Sequence, residues 1–280
     1  MMKSNMPTAK RLVVCADDYG MTPEVSAGIL ALARTASISA TSVMSLSPTW
    51  PDWAAPLKEV HGHVDVGLHL DFTSHLSVQQ GMGAALPAVM LKTLLRLWHQ
   101  PSVQAHIELQ LDRFESHFQA IPDHIDGHQH VQQFPVIRDA LMAVLSRRYA
   151  QGARPWLRIS RVAKGDADLK SRVISAMGAD ALEALAQQHG FLHSKHLTGV
   201  YDFHGDTARY FHKLEHWLAH IPDQTVLMCH PANGLNAEAP YPDARLWEQD
   251  VFQSRRWTEL LQHSGVQLVR GGLLFKAASA

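Results

Sequence analysis

Short apolar runs alternate with helical stretches from about residue 11 onward, and this rhythm constrains the fold more than any other feature of the sequence. Leu12 to Ala16 reads as a buried strand, stopped by Asp17-Asp18-Tyr19-Gly20. Thr22 then caps a helix, Pro23 suits its first position, and Val25, Ile29, Leu30 and Leu32 give it an apolar stripe. Further strands are expected over Ser37 to Ser45, Val64 to Leu70, His124 to Gly127, Trp156 to Val162, Val226 to Cys229 and Val266 to Val269. Helices are expected after Pro51 and over Leu91 to Trp98, Val103 to Ala120, Val136 to Arg147, Asp166 to His189, Ala208 to His220 and Trp247 to His263. On the third of these, His106, Glu108 and Asp112 are placed on a solvated face. Such alternation favours a parallel sheet, closed or nearly closed into a barrel. Residues 74 to 90, with Gly81, Gly83 and Pro87, depart from the rhythm without starting a new domain, so one domain is expected over residues 1–280, residues 1–10 being a flexible N-terminus.

Composition removes several functions. A net charge of −1 and no basic cluster interleaved with aromatics argue against nucleic acid or anionic membranes as partners. The two cysteines, Cys15 and Cys229, both lie in apolar runs and read as buried free thiols. With no apolar signal core and no uninterrupted apolar run of membrane-spanning length, a cytoplasmic location is expected.

Chemistry collects where strands end. Adjacent ionised carboxylates repel, and a fold keeps Asp17 and Asp18 together near a core only if a cation, a shared proton or hydrogen bonds offset the cost. His69, Asp126, His128 and His230 also arrive as a strand gives way to a loop, and in parallel barrels such positions face a common mouth. His69, His128 and Asp18 would make a two-histidine, one-aspartate set with open positions for water and substrate. Asp17 would then remain as a general base for a metal-bound water attacking a carbonyl, with His230 the candidate acid for the leaving amine. His130 and Asp126 share a face with His128 if that segment stays extended, so either could orient a ligand imidazole. Arg158 could bind a substrate oxygen or a catalytic carboxylate, or lie on the surface. Because alternate strand residues face opposite sides, the two aspartates can share a site only where the Tyr19-Gly20 turn redirects the chain.

At these residues the chain resembles the YdjC-like carbohydrate deacetylases, the family that includes chitooligosaccharide deacetylases and hopanoid-associated proteins. Ala16-Asp17-Asp18-Tyr19-Gly20 is similar to its opening Ala-Asp-Asp-Phe-Gly, with Tyr for Phe. Gly67-Leu68-His69, Asp126-Gly127-His128-Gln129-His130 and Cys229-His230-Pro231 resemble its later motifs, in the same order, and the similarity runs from about residue 11 to about 272. The resemblance implies a distorted TIM-like barrel and one divalent metal ion on Asp18, His69 and His128. It also implies hydrolysis of an N-acetyl group from a small carbohydrate, with Asp17 as base and His230 as acid. It implies a homodimer as well. Two imidazoles favour zinc or another transition ion, whereas magnesium is a common assignment in the family. Residues 74 to 90 and Leu197 to Asp206 would border the substrate. The alternatives are a metal-dependent phosphoesterase, for which no Gly-rich phosphate loop is present, and an inactive sugar-binding protein, which would have no need of a spare base.

Overall fold

A computed structural model describes residues 9–163 and 169–278. The flexible-terminus expectation for residues 1–8, and the helix expected over 166–168, lie outside the described residues. Among the described residues the strands are β1 (Lys10–Tyr19), β2 (Ala40–Val43), β3 (Asp65–Leu70), β4 (His124–Gly127), β5 (Trp156–Leu157), β6 (His196–Thr198), β7 (Thr225–Cys229) and β8 (Val266–Leu268). They form one parallel sheet in the order β5-β4-β3-β2-β1-β7-β6, with β8 paired to the first residues of β1. The two ends of that order meet, because Leu157 bridges His193 and Val162 bridges Leu197 of β6, both in parallel. The result is a distorted TIM-like barrel.

Strand alternation sorts the side chains into two layers. On β1, Leu12, Val14 and Ala16 pack outward in the large core beneath the helices, while Val13 and Cys15 belong to a second cluster with Trp156, Val226 and Met228 inside the barrel. By the same parity Asp17, His69, Asp126 and Arg158 fall on the inner face, above that apolar layer. Gly67 makes room for this interior, since a Cβ there would lie 2.4 Å from the His124 ring.

Some expected elements differ. The 156–162 strand is a ladder only over Trp156–Leu157, and Val162 joins later as an isolated bridge. The helix expected over Trp247 to His263 is two, Pro242–Gln253 and Arg255–His263, because Ser254 is extended (φ −80°, ψ 153°) between them. Strand β6 has only three residues, too short a run for periodicity to mark. Helices His75–Gln79 and Leu86–Leu94 occupy the 74–90 excursion and the start of the next predicted helix. His106 is buried rather than solvated, with Nε2 2.9 Å from Ser77 Oγ and 3.2 Å from the Asp71 carbonyl, whereas Asp112 is exposed. Ser77, on the helix His75–Gln79 of that excursion, covers His106 alone of the three.

Candidate metal centre and active site

The site begins with a backbone anomaly. By strand parity Asp18 should point outward, away from Asp17, but it sits at φ 73° and the β1–β2 register shifts between Ala16 and Tyr19. A non-glycine residue in the left-handed region is held there only by its surroundings. The strand therefore continues through both aspartates to Tyr19, and the redirection expected at Tyr19-Gly20 occurs one residue earlier, at Asp18 itself.

Asp18 is fully buried and faces both histidines. Its Oδ1 lies 3.4 Å from His69 Nε2 and 3.1 Å from His128 Nδ1, and ligand atoms of the three residues all fall within 4.8 Å of one another. The His69 Nδ1–H donates to Asp126 Oδ1 at 2.7 Å, which fixes the ring and leaves Nε2 aimed at Asp18. A carboxylate holding the far nitrogen of an imidazole is the usual support of a metal-ligating histidine. Asp126 thus orients His69, not His128.

Asp17 is held differently. Arg158, wholly buried, donates to its Oδ1 at 2.7 Å and its Oδ2 at 2.9 Å and also reaches Asp126 Oδ2 at 2.9 Å. Ser42 Oγ donates to Asp17 Oδ1 at 3.1 Å. Of the two possibilities for Arg158 at the mouth, the structure has it on the carboxylate.

His130 does not join the ligands. Gln129 and His130 both have positive φ (55° and 63°), so the segment after His128 curls rather than staying extended, and His130 Nδ1 lies 3.0 Å from Ser160 Oγ. Burial and the nearby Arg158 push its imidazole down to about 3. His230 follows β7. Its backbone N–H donates to Glu248, and its buried Nδ1 has no hydrogen-bond partner among the described residues. Burial holds its imidazole at about 4, although Asp18 and Asp17 pull the other way.

Three groups escaped sequence reasoning. Arg245, buried on the helix Pro242–Gln253, donates to Asp18 Oδ2 at 2.5 Å. Glu248, one turn on, accepts from the Tyr201 hydroxyl at 2.6 Å and from the His230 backbone, and burial pushes its carboxyl up to about 7. Ser42 on β2 is the third. The available signal was positional: a helix opening at Pro242, shortly after a strand that ends in a catalytic candidate, directs its first turns at the barrel mouth.

Electrostatics favour a cation here. Burial works against the charge of each carboxylate, yet Arg245 and the histidines hold Asp18 well below the ordinary range, and Arg158 and His69 do the same for Asp126 and, less strongly, Asp17. Burial likewise opposes charging His69, but Asp126 and Asp17 outweigh it and lift it to about 10. Three carboxylates against two guanidiniums leave one negative charge, which the protonated His69 balances; a divalent ion would take over that role by displacing the proton from His69. The Asp18–His69–His128 set fits such an ion. Asp17 and Asp126 also converge with His69, but there the Arg158 guanidinium already occupies the cation's place. Cys15 meets His124 and Asp126 at 3.7 and 3.9 Å, and burial raises its thiol well above the usual value, against a thiolate ligand.

These groups open onto a cavity of about 690 Å³. Its walls include Leu86 and Met90 from one of the stretches expected to border the substrate, Val200, Tyr201 and Phe203 from the other, and Tyr241.

The chain is similar to known proteins in sequence and in fold. The profile of the family described as YdjC-like protein matches residues 11–263. A chitooligosaccharide deacetylase of Proteus mirabilis strain HI4320 is 26% identical over 272 residues, 93% of this chain and 97% of its own. A carbohydrate deacetylase of Danio rerio is 30% identical over 156 residues, where the match spans 50% of this chain and 48% of the relative. Among solved structures, an Enterococcus faecalis V583 protein named for cellobiose-phosphate cleavage superposes with a TM-score of 0.71 at 19% identity, covering 95% of this chain and 99% of that one. The catalytic domain of a peptidoglycan N-acetylglucosamine deacetylase from Eubacterium rectale ATCC 33656 gives 0.50 at 10% identity, with 96% and 92% covered. At these identities the structural likeness speaks to fold.

Proposed function

We propose, from the premise that the chain belongs to the YdjC-like protein family, that it is a metal-dependent hydrolase removing the N-acetyl group from an acetylated amino sugar or a chitooligosaccharide-like substrate. The observation that carries this reading is the division of the acidic pair: Asp18 with two imidazoles, Asp17 beside it and held by an arginine instead. The names of the relatives point to the same chemistry.

Asp18, His69 and His128 would hold one divalent ion, and their nitrogen-rich set suits zinc or another transition ion better than magnesium. Such an ion supplies Lewis acidity: it polarises the amide carbonyl and makes water a nucleophile near neutral pH. Asp17 takes the proton of the attacking water. The bidentate Arg158 contact keeps that carboxylate ionised and fixes its plane, so its remaining lone pairs point one way. Arg245 draws the second oxygen of Asp18 aside and thereby sets which oxygen faces the histidines. His230 is neutral at rest, since burial keeps its imidazole near 4. The proton that Asp17 takes from water passes to His230 as negative charge develops in the cavity, and His230 delivers it to the leaving amine nitrogen, which frees Asp17 for the next turnover.

Acetate release tests this directly. Protein stripped by a chelator is expected to be inactive on a panel of N-acetylated sugars and to regain activity when zinc, cobalt, manganese or magnesium is added. No acetate from any sugar with any of these ions would overturn the reading.

A further inference from the structure

His230 is aimed through its backbone. Its ring Nδ1 is buried without a hydrogen-bond partner among the described residues, so nothing bound to that nitrogen sets the direction of the imidazole. The peptide around it is held wherever it can be. The His230 N–H donates to Glu248, Pro231 has no N–H, the Ala232 N–H donates to the Arg245 carbonyl at 3.2 Å, and the Asn233 N–H donates to the Glu24 carbonyl at 2.9 Å. On this side the helix Pro23–Arg34 packs so close that a Cβ on Gly28 would lie 2.7 Å from the Asn233 nitrogen. The segment after β7 is thus pinned between two helices.

On the helix Pro242–Gln253, Arg245 and Glu248 stand three residues apart and so share a face. They grip the two ends of one residue: Arg245 Nη1 donates to the His230 carbonyl at 3.4 Å, and Glu248 Oε2 accepts from the His230 N–H. The other Arg245 nitrogen, Nη2, holds Asp18 Oδ2, so the same helix face spans the acid and a proposed metal ligand. Glu248 Oε1 accepts from the Tyr201 hydroxyl at 2.6 Å, and Tyr201 lines the cavity. Glu248 is itself wholly buried, a setting that strips a carboxyl of its hydration and pushes it up to about 7. A buried acid is a costly acceptor for a peptide N–H, and here its two oxygens join the residue bearing the imidazole to the wall of the cavity.

We propose that Glu248 is the positioning residue of His230: by holding the His230 N–H it fixes the direction from which the imidazole reaches the leaving nitrogen. This rests on the deacetylase reading above and deepens it by naming what aims the acid. The role needs an acceptor oxygen at this place and does not need its negative charge. Glu248 acts only through His230, without touching the reacting atoms.

A double-mutant cycle of Glu248→Ala and His230→Ala, read as acetate released from an N-acetylated sugar by the metal-loaded protein, tests the role. His230→Ala alone is expected to lower kcat by about 10²–10⁴. Glu248→Ala alone is expected to lower it about ten- to a hundredfold, as a misaimed group does, with KM within about twofold and metal binding in equilibrium dialysis unchanged. Added to His230→Ala, it should lower kcat less than about twofold further, because no imidazole is left to aim. Glu248→Gln keeps an oxygen for the His230 N–H and should stay within about threefold of wild type. Glu248→Asp, one methylene shorter, should behave as Glu248→Ala and takes its place in the cycle if the alanine variant does not fold.

Equal falls in both His230 backgrounds, an unaltered kcat in Glu248→Ala, a loss of metal binding in step with kcat, or a Glu248→Gln as impaired as Glu248→Ala would each overturn the positioning role and leave the deacetylase reading in place. Full activity of His230→Ala would remove the acid from that reading and the role of Glu248 with it. If the wild type releases no acetate with any of the ions named above, both fall.

Discussion

Two clusters of arginine and carboxylate in this molecule use the same chemistry in opposite settings. Inside the barrel, Arg158 meets Asp17 and Asp126 at 2.7–2.9 Å with its side chain wholly buried. On the outside, Arg148 joins Glu108, Asp112 and Glu115 at 2.7–2.8 Å, linking the helices Gln100–Phe118 and Ile137–Arg148, with Asp112 64% exposed. Distance does not separate the two; water does. The outer pairs keep part of their hydration, the Arg148, Glu108 and Glu115 side chains being 21–26% exposed, so their attraction is screened and contributes less. The inner cluster has given up its hydration entirely, and each member is stable only while the others remain. It fixes Asp17 beside the proposed metal ligands rather than adding net stability.

The largest effect expected is on turnover, and it would split the two aspartates. Asp17→Asn should lower kcat by about 10²–10⁴ while sparing metal binding measured by equilibrium dialysis, whereas Asp18→Asn should impair both. The reverse pattern would exchange their roles. Next comes stability: Arg158→Met leaves Asp17 and Asp126 buried without their cation and should cost about 3–5 kcal/mol in chemical denaturation. A loss below about 1 kcal/mol would erase the distinction between the clusters. Arg148→Met in the outer cluster should cost no more than about 1 kcal/mol, and 1 M salt should shrink that cost while leaving the Arg158 effect largely intact.

The smallest effect concerns His106. Burial lowers its imidazole from the ordinary 6.5, although contact with Asp71 opposes this. The folded state therefore binds fewer protons than the unfolded one around that pH. The stabilising contribution is full above 6.5 and declines as pH falls through the lowered value. Unfolding free energy measured for wild type and His106→Gln across that interval should converge at low pH. A constant difference would show that His106 acts through packing alone.

How much of this was legible in the sequence depends on how local each feature is. Asp17-Asp18, His69 and His128 each sit within a few residues of a strand end, and a short apolar run stopped by a charged group announces itself. The parity that places Asp126 and Arg158 beside Asp17 needs the sheet order, since Arg158 is 141 residues from its partner. Arg245 and Glu248 were hidden for another reason. They belong to an amphipathic helix in which buried charges look like surface ones until Asp18 and His230 are placed beneath them. His106 was misread in the same way, because the residues covering it come from an irregular excursion with no period of its own. The three-residue β6 and the break at Ser254 carry too little sequence to register.

The seam of the barrel has a consequence for timing. The β5 and β6 segments meet only through isolated bridges, Leu157 with His193 and Val162 with Leu197, not through a continuous ladder. Arg158 is the very next residue after Leu157, so the clamp on Asp17 is tied to β4 on one side, through the Arg158 N–H on the Ile125 carbonyl, and borders the thinly stitched join on the other. In a molecule that breathes, this join is the one to part first, and the amides of Leu157, Ser194 and Leu197, which cross it, are the ones to exchange with deuterium ahead of the β1–β2–β3 wall. Each such opening would loosen the grip on Asp17 until the stitch re-forms, which would set a clock on the proposed base that no chemical step controls.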